Sequence, residues 1–272
     1  MSQVLRLPRR AFPKVWGAPQ TEPWFTNPNH EKIGEVWFES PPATPLLVKF
    51  LFTSESLSIQ VHPDDAYARA HHNSFGKTEM WHILHADPGA KIAVGPRREI
   101  TAQDLAQAAG KKGILDLLQW VEVHPGDTWF IPAGTIHALG GGLALCEIQQ
   151  LSDVTYRLYD YGRDRELHIE HSLNVSRLTP CEGKRDPVAL EPGRELLAEC
   201  EYFRAERLTV SGAALCEPRH ICVVLEGEGR IGQETFGPGD AFAIGEEAMR
   251  IEGSRAIFVS VTSQCEPPVT RK

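Results

Sequence analysis

The chain has 272 residues, 42% of them hydrophobic, enough to bury one large core or two of ordinary size, and two is the expectation. Its 36 acids against 28 bases give a formal charge of -8, which argues against a nucleic-acid footprint or binding to an anionic membrane surface, so an anionic ligand would need a local basic pocket. No run approaches ~18 uninterrupted apolar residues, and the opening MSQVLRLPRRAFPKVWG is broken by Pro8 and Pro13, so a soluble, unexported, cytoplasmic protein is expected.

Short apolar runs punctuated by Gly, Pro, Asp and Asn read as strands in chain order: LLVKFLF (46–52), SLSIQVH (56–62), KTEMWHIL (77–84), KIAVG (91–95), DTWFIPA (127–133), LALCEIQQ (143–150), HICVVLEG (220–227) and AIFVSVT (256–262). His71 and His72 fall in what reads as a polar loop. Helical periodicity is confined to TAQDLAQAAG (101–110), where Thr101 and Asp104 form a capping box and Gly110 ends the run, to a turn or two in ILDLLQW (114–120), and to HIEHSLNVSRL (168–178). Thr179 to Arg194, rich in proline and charge, reads as a linker. The class is therefore mainly β, a sandwich or barrel with a few short helices.

A weak internal repeat divides the chain. HILHADPGAKIAVG (82–95) precedes HPGDTWFIPAG (124–134), just as ICVVLEGEGRIG (221–232) precedes GPGDAFAIGEE (237–247). Two β-modules follow, residues 1–178 and 200–272, joined by 179–199. Cys146, Cys181, Cys200, Cys216, Cys222 and Cys265 form no C-x-x-C pair, so reduced thiols are expected and a cysteine zinc site is not.

In SLSIQVH the alternation of a strand puts Ser58, Gln60 and His62 on one face, so Gln60 and His62 converge. Glu79 sits in the next strand with Trp81 and Ile83 on its face. GDTWFIPAGTIH, from Gly126 through Pro132 and Gly134 to His137, matches G-x5-P-x-G-x2-H, the second motif of the cupin superfamily, in which a Pro-x-Gly turn delivers the histidine into a barrel. One amide oxygen, two imidazoles and one carboxylate suit a divalent ion such as zinc. His82 and His85 are weaker candidates, and the second module has no Pro-x-Gly-x-x-His: only His220 remains there, a strand-end residue rather than a ligand.

FPKVWG (12–17), IGEVWFE (33–39), SIQVHPDD (58–65), GKTEMWHIL (76–84), IPAGTIHALGGG (131–142) and EIQQLSDVTYRLYDYGR (147–163) together resemble the type I phosphomannose isomerase family in its short bacterial form, most strongly over residues 9–178. The resemblance implies two cupin, or jelly-roll β-barrel, modules, the second degenerate. It implies one zinc ion held by Gln60, His62, Glu79 and His137, and a catalytic pocket drawing on Lys77, Glu147, Asp153 and Arg157. It also implies interconversion of mannose 6-phosphate and fructose 6-phosphate through an enediol, by a monomer or homodimer. Longer members carry an added helical domain for which this chain has no room, and Thr78 stands where they have proline.

The residues fit that chemistry. Glu147 shares a face with Leu145 and Gln149, so burial would raise its pKa toward that of a base working near neutral pH, with Lys77 the rival proton carrier. Arg157, on one face with Asp153 and Thr155, offers the planar fork that matches phosphate, or else pairs with Asp153 or Glu147. Arg163 and Arg165 follow in a loop. A cupin oxygenase is disfavoured because Gln60 stands in place of the first histidine of the usual H-x-H pair. A non-catalytic sugar-binding bicupin, or an isomerase of another sugar phosphate, is the alternative.

Overall fold

The strand Leu143–Gln150 is buried along its whole length because it lies at the centre of a seven-stranded antiparallel sheet, between Leu46–Thr53 and Glu79–Ala86. Its alternating side chains therefore serve two cores. Leu143 and Leu145 point into a barrel interior with Leu51, Trp81, Ile83 and Trp129, while Ala144, Cys146 and Ile148 point outward, where they join Phe50 and Phe52. The barrel closes against a five-stranded sheet containing Ile59–Val61, Lys91–Pro96, Leu118–Glu122, His137–Leu139 and Tyr156–Tyr159. This computed structural model describes residues 4–42 and 44–264; Cys265 lies outside the described residues.

The outward core does not end at the barrel. It continues through Leu197, Phe203, Ala205, Val259 and Val261 of an eight-stranded C-terminal sheet, so the two modules share one apolar layer. A second C-terminal core, around Val224, Phe242 and Phe258, fills the far side of that sheet. The start of the chain belongs there too: Val4–Arg6 pairs with Ala241–Ile244, Val4 opposite Ile244, although the sequence places residues 1–178 in the first module. Trp24 Nε1 donates to Leu225 O at 2.9 Å, a further tie between the modules.

Several elements differ from the sequence reading. Residues 179–199 are not free chain: Lys184–Arg185 pairs with the barrel strand Thr128–Ile131, and Val188–Glu191 and Arg194–Glu199 extend the C-terminal sheet. Lys184–Arg185 and Val188–Glu191 are edge strands with exposed faces, whereas Arg194–Glu199 is paired on both sides and buries Leu197 and Ala198. His71 and His72 end a helix, Asp65–His72, started by Asp64, whose carboxylate accepts from Tyr67 N at 2.8 Å. The stretch read as a helical turn or two at 114–120 is instead the end of a 3-10 turn, Lys112–Asp116, followed by the strand Leu118–Glu122. The helices Ala102–Ala108, with its Thr101–Asp104 capping box, and Ile169–Val175 lie where periodicity puts them. Cys216 and Cys222 are joined in a disulfide, contrary to the expectation of thiols throughout: their sulfurs meet beside Ser260 Oγ, 3.9 and 3.7 Å away.

Phe203 is fully buried in the shared layer, with Phe130 of the barrel 6.4 Å away at a steep angle. Phe203→Ala should therefore cost about 3–5 kcal/mol in guanidinium unfolding and weaken both modules in one transition. Leu215→Ala, at a side chain 54% exposed, should stay within about 0.5 kcal/mol of the parent.

Candidate active site and metal centre

Register assembles the site. In the five-stranded sheet Gln60 is opposite His137 on one side and Arg157 on the other, so one cross-strand row carries all three. In the seven-stranded sheet Lys49 is opposite Glu147, and Gln149 is opposite Glu79. The two sheets face each other across a cavity of about 420 Å³ whose wall includes Gln60, Lys77, Glu147, Asp153, Thr155 and Arg157.

Behind Gln60 and Lys77 lie His62, Glu79 and His137, each 1% exposed, with ligand atoms all within 4.8 Å of one another. Both rings are oriented from behind. His62 Nδ1 lies 2.9 Å from Val154 O and His137 Nδ1 lies 2.9 Å from Thr135 O, so each ring donates from Nδ1 and keeps an Nε2 lone pair facing inward. Those Nε2 atoms are 3.5 and 3.4 Å from the two oxygens of Glu79. Burial, reinforced by Lys77, holds His62 well below the usual imidazole range, and burial brings His137 down to about 4. Both are neutral at neutral pH, the form that ligates metals. Gln60 Nε2 stands 3.2 Å from His137 Nε2.

No family model matches the chain. Four curated relatives, two named mannose-6-phosphate isomerase, one probable and one putative mannose-6-phosphate isomerase, are 34–40% identical to it, and the chain spans 63–75% of their length. That of Streptococcus mutans is 35% identical over 239 residues, covering 81% of this chain and 75% of the relative. The chain belongs to the mannose-6-phosphate isomerase family. The crystal structure of the Bacillus subtilis mannose 6-phosphate isomerase superposes with a TM-score of 0.85 at 27% identity, covering 95% of this chain and 99% of that one. A zinc-bound mannose 6-phosphate isomerase shares the fold at 16% identity with a TM-score of 0.78, covering 97% and 100%. The fold is thus the cupin fold of the phosphomannose isomerases.

All eight site residues expected from the likeness to mannose-6-phosphate isomerases are brought to this cavity or directly behind it. Arg157 makes no ion pair with Asp153 or Glu147; among the described residues Glu147 pairs with Lys49 at 2.9 Å and lies 3.5 Å from Lys77. Arg165 also lines the cavity, but its guanidinium is bound by Asp160 at 2.6 and 2.7 Å. His82 bonds Thr128, His85 bonds Asp87, and His220 bonds Ser260, all away from the three-residue cluster.

One expectation is reversed. Burial does push the Glu147 carboxyl up, but Lys49 and then Lys77 outweigh it and hold the group below its ordinary range. It is Glu79 that burial and the neighbouring Glu147 push up, against the pull of Lys77 and Lys49. Lys49, 6% exposed, is the residue sequence reasoning missed. Its signal was a lone lysine in the middle of LLVKFLF, a strand too apolar to leave it in water. Burial pulls Lys49 down, but Glu147, Glu35 and Glu79 hold it above the ordinary lysine range. Glu35 in turn, despite burial, is held at about 2 by Lys49, Lys14 and a bond from Trp37.

Lys49→Met should cost about 3–5 kcal/mol, because it removes the buried cation that Glu147 and Glu35 share and leaves them only Lys77 and Lys14, and Glu147→Gln added to it should recover part of the loss. In the parent, unfolded Glu35 takes up a proton near 4.5 while folded Glu35 holds out to about 2, so its contribution is complete above 4.5 and lost as pH falls through that window. Lys49→Met should shrink this acid loss, because the folded Glu35 pKa moves back toward 4.5, and unfolding midpoints between about pH 2 and 6 should depend less on pH than in the parent.

Proposed function

We propose that the chain interconverts mannose 6-phosphate and fructose 6-phosphate through an enediol, with zinc held by Gln60, His62, Glu79 and His137. The observation that carries this reading is the pair of buried histidines whose Nδ1 atoms are committed to carbonyls, leaving two Nε2 lone pairs and one carboxylate facing a common point. The donors suit a cation: the Lys77 ammonium already lies 3.0 Å from His62 Nε2 and 2.8 Å from Glu79 Oε2. Two imidazoles, a carboxylate and an amide oxygen form a set that zinc accepts, and the zinc-bound relative has this fold. Gln60 completes the set by presenting its oxygen rather than its amide nitrogen, which would then donate to Ser58 Oγ, now 3.2 Å from Oε1.

A divalent ion held by these residues would supply Lewis-acid polarisation to the oxygens of the reacting sugar carbons. The chain's own groups do the rest. Glu147, kept ionised by Lys49, accepts the carbon-bound proton and returns it to the neighbouring carbon. Trp81 Nε1 donates to Glu147 Oε2 at 3.1 Å and fixes the carboxylate plane. Lys77, between Glu79 and Glu147, offers N–H donors to a sugar oxygen as charge develops on it. Arg157, with no ion pair among the described residues, takes the phosphate through its fork, and Asp153 on the same wall accepts a sugar hydroxyl. Phosphate bound at the Arg157 end of the cavity orients the reacting carbons at the other.

Purified protein should carry about one zinc or similar divalent ion per chain and convert mannose 6-phosphate to fructose 6-phosphate in a coupled assay. His62→Ala and His137→Ala should each lose both metal, measured by mass spectrometry of the digested protein, and turnover. Full turnover after chelation would refute the reading.

A further inference from the structure

At the Arg157 end of the cavity stands a histidine that neither the motifs nor the proposed chemistry uses. His168 starts the helix Ile169–Val175 and lines the cavity with Arg157, Thr155 and Arg165. It clasps the strand that carries Arg157 with two hydrogen bonds: His168 N donates to Arg157 O at 2.8 Å, and Arg157 N donates to His168 Nδ1 at 3.2 Å.

The second bond decides the tautomer. A backbone N–H donates only to a ring nitrogen that has no proton, so Nδ1 is the acceptor and the proton of the neutral ring must sit on Nε2. Burial and the neighbouring Arg157 hold His168 below the ordinary imidazole range, in keeping with that neutral form. The carboxylate that reaches its Nε2 among the described residues is that of Glu166, with Oε2 at 3.8 Å, a side chain 82% exposed and too far for a hydrogen bond. Beside it Arg165 is already committed to Asp160, whereas the Arg157 guanidinium makes no ion pair among the described residues.

We propose that His168 is a substrate-binding residue whose Nε2–H donates to the phosphate group that Arg157 holds. This rests on the sugar-phosphate reading of the cavity and deepens it: the anion site pairs one charged fork with one neutral donor, and the backbone amide of the first fixes the tautomer of the second. A neutral imidazole donor adds a directed hydrogen bond without adding a further charge beside Arg157 and Arg165.

Two substitutions separate contact from support. His168→Asn keeps an acceptor at the position of Nδ1, and with it the clasp on Arg157 N–H, but removes the distal donor. His168→Gln keeps a donor at the position of Nε2 and loses the acceptor. Binding is measured by calorimetry on the metal-loaded full chain with a hexitol 6-phosphate, a reduced sugar phosphate that cannot be isomerised. His168→Asn should weaken binding about tenfold, the size of one hydrogen bond to a charged group, and His168→Gln by clearly less. Binding unchanged in His168→Asn and weakened in His168→Gln would make His168 only a support for Arg157 and overturn the proposal, as would equal effects in the two variants. The expected pattern in a parent protein without isomerase activity would instead refute the assigned reaction and leave the phosphate contact standing.

Discussion

Everything in the barrel depends on a run of alternating charges carried through a nearly dry interior. Glu35, Lys49, Glu147, Lys77 and Glu79 follow one another at 3.7, 2.9, 3.5 and 2.8 Å, with side-chain exposures of 13, 7, 4, 5 and 1%. Any one of these groups alone in such a place would change its protonation state or unfold its surroundings. Together they hold one another charged, except at the end of the run, where Glu79 has one lysine contact and is pushed up. That end is where His62 and His137 present their lone pairs. A cation beside Glu79 would add to the pull of Lys77 and favour the ionised form of that carboxylate.

The cost of seating this run explains the architecture around it. Lys49 faces Glu147 across two paired strands, and those strands can be buried on both faces because their outward side chains pack on the C-terminal sheet. The second module, without a metal motif of its own, is thus part of what keeps the first one dry. The same burial that would neutralise a solitary Glu147 makes its bond to Lys49 strong, so it remains an ionised acceptor facing the cavity. On the cavity wall Arg157 makes no ion pair among the described residues, which suits it to a ligand.

Sequence patterns that depend on one strand or one turn were legible. Alternation in SLSIQVH placed Gln60 and His62 together, and the Gly126 to His137 spacing brought in the third donor. Thr101 and Asp104 marked a helix start that the structure reproduces. What stayed hidden depends on a partner elsewhere in the chain. Lys49 looks like a defect in an apolar strand until Glu147 is seen opposite it, and the sign of the Glu147 shift follows from that neighbour rather than from burial. Lys184–Arg185 and Val188–Glu191 look like linker because edge strands bury little, and Arg194–Glu199 because only Leu197 and Ala198 in it are buried. The helix Asp65–His72 was masked by its polarity, with Ala68 its one buried residue. Cys216 and Cys222 meet only because neighbouring strands bring both to Ser260.

In the proposed reaction Glu147, kept ionised by buried lysines, takes the proton from a sugar carbon. Exchange of the C2 proton of mannose 6-phosphate with solvent deuterium, followed by NMR, reads that step directly. Glu147→Gln, similar in size and still metal-loaded, should slow exchange by about 100-fold or more. Lys77→Met should retain exchange better than Glu147→Gln does, since Lys77 is placed here as a donor to oxygen. Wild-type exchange in Glu147→Gln together with its loss in Lys77→Met would move the proton to Lys77, and normal exchange in both would contradict this picture of the pocket.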